Sequence, residues 1–107
     1  MNQVKSYIHW GDAYTRGITG RGVGVAVLDT GIYPHKDFDN RIIAFQDIVG
    51  RHSFPYDDNG HGTHISAIIG GSGAASDGKF QGMAPESHII SVKVLDSKGN
   101  GYASDVL

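Results

Sequence analysis

Val23-Gly24-Val25-Ala26-Val27-Leu28-Asp29-Thr30-Gly31 is the stretch that decides the fold. Six apolar or small residues run without a charge and stop at an aspartate. They are apolar at odd and even positions alike, so both faces read as buried. That is the pattern of a strand inside a parallel sheet, where helices cover both faces. Ligands of open parallel sheets bind outside the carboxyl ends of the strands. Asp29 stands at such an end and is a candidate functional residue. An Asx-turn role, with the carboxylate satisfying loop amides, is the competing reading.

Working outward, residues 17–22 are a glycine-rich connector, and residues 4–17 before it carry helical spacing with a break at Gly11. After the first strand comes a polar loop over residues 33–40. A second strand is predicted over 41–49, and a loop over 50–60 containing Asp57-Asp58-Asn59-Gly60. Ile65, Ile68 and Ile69 give a short helix over 63–69, stopped by Gly70-Gly71. Residues 72–82 are a small, polar loop. A third strand follows over 88–95, then a turn over 97–101. A helix begins at 103–107, with Ser104 or Asp105 near its cap. The order predicts an α/β fold with a mostly parallel sheet.

The 107 residues bound the answer to one domain at most. No Cys is present, which excludes a disulfide scaffold, a thiolate metal site and a Cys nucleophile. The net charge of -2 argues against a nucleic-acid partner. No apolar run approaches the ~18 residues of a membrane helix, so no membrane partner is expected. No signal-peptide pattern opens the chain. Sixteen glycines are roughly twice the average usage, so many must serve turns and close backbone approaches.

Two further clusters bear on chemistry. In Asn59-Gly60-His61-Gly62-Thr63-His64 the glycines leave the His61 ring uncrowded and let the chain turn straight into a helix. His61 then falls in the helix's first turn. His61 and His64 miss the zincin pattern, which needs four-residue spacing and an intervening Glu. His64 reads instead as a buried, hydrogen-bonded helix residue. Gly99-Asn100-Gly101 allows an extended backbone to lie alongside, as in strand addition, or is a plain turn. Other matches fail: Gly20, Gly22 and Gly24 precede a strand instead of following one, and Asp57-Asp58-Asn59-Gly60 has its Gly too early for a calcium-binding EF-hand.

Together the clusters resemble the subtilisin-like serine proteases. Residues 25–32 are similar to that family's catalytic-Asp strand. Asn59-Gly60-His61-Gly62-Thr63-His64 is similar to its catalytic-His motif. Gly82-Met83-Ala84-Pro85 followed by Val92-Lys93-Val94-Leu95-Asp96 is similar to the stretch leading to its substrate-binding strand. The resemblance covers essentially the whole chain. It implies a three-layer α/β fold, incomplete in this chain. It also implies an Asp-His-Ser triad in which Asp29 orients and His61 is the base. Residues 1–107 would be the N-terminal part of one catalytic domain. Gly99, Asn100 and Gly101 would form a wall of the substrate cleft, with Leu95 and Tyr102 lining pockets. Substrates would be polypeptides bound as extended strands. No cofactor is implied for catalysis. Structural calcium is left open: Asp37 matches an acidic position that often ligates it, but the N-terminal segment that supplies another ligand lacks a counterpart.

The family's nucleophile lies in a Gly-Thr-Ser-Met-Ala type motif, which no serine of these 107 residues occupies, and the counterpart of its oxyanion Asn is absent too. The expectation is the N-terminal part of a serine endopeptidase that is inactive by itself. It would associate with the remainder of the domain or with itself. The alternative is a non-catalytic binding or scaffold protein on the same fold. A serine motif beyond Leu107 would separate the two. The resemblance leaves the location open between an intracellular member and the mature part of a secreted one.

Overall fold

The computed structural model describes residues 16–76, 78 and 80–106. The helix expected over 4–17 lies outside them except for Arg16 and Gly17, which form a turn. Five elements follow: β1 (Gly24–Asp29), β2 (Ile42–Asp47), α1 (His61–Gly70), β3 (His88–Lys93) and α2 (Ala103–Val106). Two short 3-10 turns, Lys36–Phe38 and Ala74–Ser76, fall within segments expected as loop.

The three strands form one sheet in the order β1-β3-β2, and both pairings are parallel. Parallel neighbours need crossovers, and α1 lies in the one between β2 and β3. The register sets Asp29 beside Lys93 and Lys93 beside Asp47. Three ionisable residues thus occupy one row at the carboxyl ends of adjacent strands. The β2 register slips between Ile42 and Ala44.

The core lies between α1 and one face of the sheet. Val27, Ile32, Phe38 and Ile89 are buried there, with Val25, Ile42, Phe45, Ile65, Ala67 and Ile69 packed against them. Burial on both faces of β1 does not hold. Val27 and Asp29 are buried, whereas Ala26 and Leu28 on the opposite face are exposed, Leu28 by 41%. An unbroken apolar run reports what a strand can bury, and no described residue covers this second face. No helix among them is long and apolar enough to cross a membrane.

Candidate active site

Asp29 ends β1 almost buried, and its Oδ1 accepts the Thr30 amide at 2.7 Å. That bond goes to the next residue, one short of the two-residue reach of an Asx turn. The same carboxylate also faces a partner 32 residues away: His61 Nδ1 lies 2.9 Å from Oδ1 and 3.0 Å from Oδ2. The His61 side chain is otherwise open, 61% exposed against 12% for Asp29. An acceptor-only carboxylate makes Nδ1 the protonated nitrogen, which leaves Nε2 as the ring's basic atom.

Three interactions hold the pair. First, α1 begins at His61, two residues earlier than the apolar pattern indicated. Second, Asp57 caps that start. Its Oδ1 accepts the amides of Asn59 (3.0 Å) and Gly60 (2.8 Å), and its Oδ2 accepts the Thr63 amide (2.9 Å) and hydroxyl (2.6 Å). A carboxylate at a helix N-terminus satisfies free amides and opposes the helix dipole. Third, Thr30 joins the two sides. Its hydroxyl donates to Asp57 Oδ1 at 2.9 Å and accepts the Gly62 amide at 2.9 Å. Burial pushes the Asp57 carboxyl up. The Thr63 hydroxyl and the Gly60, Thr63 and Asn59 amides outweigh it and hold the group well below the usual carboxylate range.

Gly62 is the point of closest approach. A Cβ there would meet the Gly31 carbonyl oxygen at 2.3 Å. The room left by glycine is thus filled by β1's own continuation, which lets the helix start touch the end of β1. Gly101 behaves similarly: a Cβ would lie 2.3 Å from the Val94 carbonyl oxygen. At Gly101 the close approach expected of a foreign backbone is made by the chain itself.

The other expected site residues separate into groups. Asn100, Gly101 and Tyr102 line one hollow of about 160 Å³ with Ile48, Val94 and Asp96. Gly99 lies in the adjoining turn, where Asp96 Oδ1 accepts the Lys98 and Asn100 amides, both at 2.9 Å. Leu95 is anchored to the strand carrying the acid, its amide donating to the Asp29 carbonyl at 3.2 Å. Tyr102 is largely exposed. His64, expected as buried, is exposed on α1, because the helix turns it away from the sheet. It borders a hollow of about 380 Å³ with Tyr33, His35, Phe38 and Thr63.

Asp37 has protein partners. Its Oδ1 accepts the Ala75 amide at 2.7 Å, and its carbonyl takes the Ser72 amide and an Arg41 guanidinium N–H, each at 2.7 Å. A calcium ion needs six to eight oxygens. Among the described residues no cluster of three or more His, Cys, Asp or Glu side chains could hold a metal ion. The Asp37 carboxylate pins the 74–76 turn.

Sequence reasoning missed Thr30, Asp57 and Lys93. Asp57 was read only as loop. Lys93 entered only as part of a family-like stretch, although a charge inside the apolar run Ile89 to Leu95 is itself a signal.

Residues 20–107 match the subtilase family. The serine protease AprX of Bacillus subtilis (strain 168) is 53% identical over 90 residues, covering 84% of this chain and 20% of that protein. Subtilisin Savinase of Lederbergia lenta is 42% identical over 96 residues, covering 88% and 34%. The crystal structure of a cold-adapted subtilisin-like serine proteinase superposes with a TM-score of 0.70 at 37% identity, covering 82% of this chain and 30% of that one. The chain thus spans about a third or less of the length of each of these proteins.

Proposed function

The chain belongs to the subtilase family, and from that premise we propose that it is the N-terminal part of the catalytic domain of a serine endopeptidase. In this reading His61 is the general base and Asp29 its orienter. The nucleophilic Ser and the oxyanion donor come from sequence outside these 107 residues. The observation that carries the reading is the contact of 2.9 and 3.0 Å between His61 Nδ1 and the two oxygens of Asp29.

The chemistry follows from that contact. Asp29 fixes the tautomer with the proton on Nδ1, so Nε2 can take the nucleophile's proton as it attacks the scissile carbonyl. The carboxylate then stabilises the imidazolium that forms, and Nε2 returns the proton to the leaving amine. The substrate is a polypeptide lying extended against residues 99–101, with Leu95 and Tyr102 beside it. The isolated chain lacks a nucleophile and is inactive.

Peptide hydrolysis by the full-length protein tests the reading. Asp29→Asn is expected to lower kcat by about 10⁴-fold. His61→Ala is expected to lower it by about six decades, a magnitude carried over from another subtilisin. A fluorophosphonate probe should label the full-length protein and leave the isolated 107-residue chain unlabelled. Labelling of the isolated chain, or full activity in His61→Ala, defeats the proposal.

A further inference from the structure

Lys93 ends β3, the central strand, and its side chain is fully buried. An ammonium carries three protons and no acceptor, and all three are used. Nζ donates to the Thr30 carbonyl at 2.6 Å, the Leu95 carbonyl at 2.8 Å and Asp58 Oδ1 at 2.8 Å. The Tyr56 ring lies 5.2 Å from the same nitrogen, within cation–π range. That ring is held in turn by its hydroxyl, which donates to Asp47 Oδ2 at 2.6 Å.

A cation in such a place is costly unless fully paired, and a hydrophobic side chain of similar size is often as stabilising. Packing alone therefore does not account for a lysine within Ile89, Ile90, Val92, Val94 and Leu95. What it holds does. Thr30 follows Asp29, Asp58 stands three residues before His61, and Leu95 heads the segment that reaches Tyr102. One compact charge ties the end of the acid's strand to the loop that delivers the base.

We propose that Lys93 is a positioning residue of the Asp29–His61 pair, acting through Thr30 and Asp58 without touching the reacting atoms. The inference rests on the reading of that pair given above. A displacement of about 1 Å in a reacting group costs on the order of 100-fold in rate, so loosening either anchor is expected to appear in kcat.

The test uses the full-length protein. Lys93→Met, Asp58→Ala and Asp58→Asn are compared with wild type and with Lys36→Met, an exposed lysine in another turn. Two quantities are read: kcat and KM on a peptide substrate, and the low-field proton NMR signal of His61 Nδ1. In Lys93→Met kcat falls by about 10- to 100-fold while KM changes little, and the low-field proton exchanges faster or is lost. Asp58→Ala shows a smaller loss, and Asp58→Asn, which keeps an acceptor for Nζ, recovers part of it. Folded Lys93→Met with wild-type kcat and an unchanged low-field proton overturns the proposal. If Lys93→Met does not fold, the Asp58 pair decides, since that side chain is 44% exposed. Indistinguishable Ala and Asn variants at wild-type kcat then overturn it. Should wild type cleave no peptide, the proposed function falls and the proton signal alone judges Lys93. Absence of that signal from wild type counts against both.

Discussion

Ser66 is fully buried in α1, and its hydroxyl is the one buried side-chain polar atom without a partner among the described residues. An unmade hydrogen bond in the interior costs about 1–3 kcal/mol. Ser66→Ala is therefore expected to stabilise the full-length protein by about 1 kcal/mol. A denaturant melt checks it, and a lower midpoint would contradict it. Asp47 and Asp57 act in the opposite direction. At Asp47 burial raises the carboxyl, but bonds from the Tyr56 hydroxyl and the Gly50 and His52 amides outweigh it and lower it well below the usual range. A depressed folded-state value means that the unfolded chain binds more protons in acid. Their contribution is thus complete above about pH 4 and is lost as pH falls from there through the folded-state values. Asp57→Asn should lower stability at pH 7 and flatten its decline in acid, read from melts at pH 7, 4 and 3. An unchanged acid slope would remove Asp57 from the account. At this scale Asp29 and His61 were legible, because a lone Asp ending an apolar strand and a His between glycines stand out. Asp57 was not, because five bonds converging from sequence positions 30 to 63 leave no local pattern.

Among the elements, α1 carries the most consequence. Its first residue is His61, and its second lies against β1's continuation. Gly62→Ala would put a methyl 2.3 Å from the Gly31 oxygen, backbone against which no side chain can yield. The helix must move, at a cost of about 1–3 kcal/mol, and His61 moves with it. The full-length variant is expected to be destabilised by that amount and to lose the proposed peptidase activity far beyond what the melt explains. Wild-type rates would show that the contact is slack. The three strands were read nearly at their observed limits, since β-branched runs bounded by Gly, Asp and Pro leave little choice. The 3-10 turns were not. At Lys36–Phe38 the His35 ring nitrogen accepts the Asp37 amide at 3.1 Å, which periodicity does not encode. The helix start was misread by two residues because its cap is Asp57, four positions upstream, and not an adjacent side chain.

For the molecule as a whole, β1 lies at the edge of the three-stranded sheet. Its outer edge is unpaired among the described residues, and Ala26, Leu28 and Ile43 are exposed. An open, apolar edge strand recruits another chain. The isolated 107-residue chain is accordingly expected to self-associate, or to bind the remainder of the domain when that is supplied. Sedimentation showing a compact, stable monomer would contradict this.

The sequence by itself determined the strands and the parallel α/β order, and offered Asp29 and His61 as candidates whose pairing came from the family resemblance. Strands, order and candidates rest on local chemistry: unbroken apolar runs, glycine flanks, and a charged residue where an apolar run stops. Only the tertiary structure decided which face of β1 is covered and that glycine's room is used by the chain's own crossings. It alone also revealed that Thr30 and Asp57 link the end of β1 to the start of α1, and that Lys93 bonds Thr30 and Asp58. The bonds from Thr30 to Asp57 and from Lys93 to Thr30 span 27 and 63 residues. Such contacts form when strands and helix stack, and no window of sequence contains both ends of them.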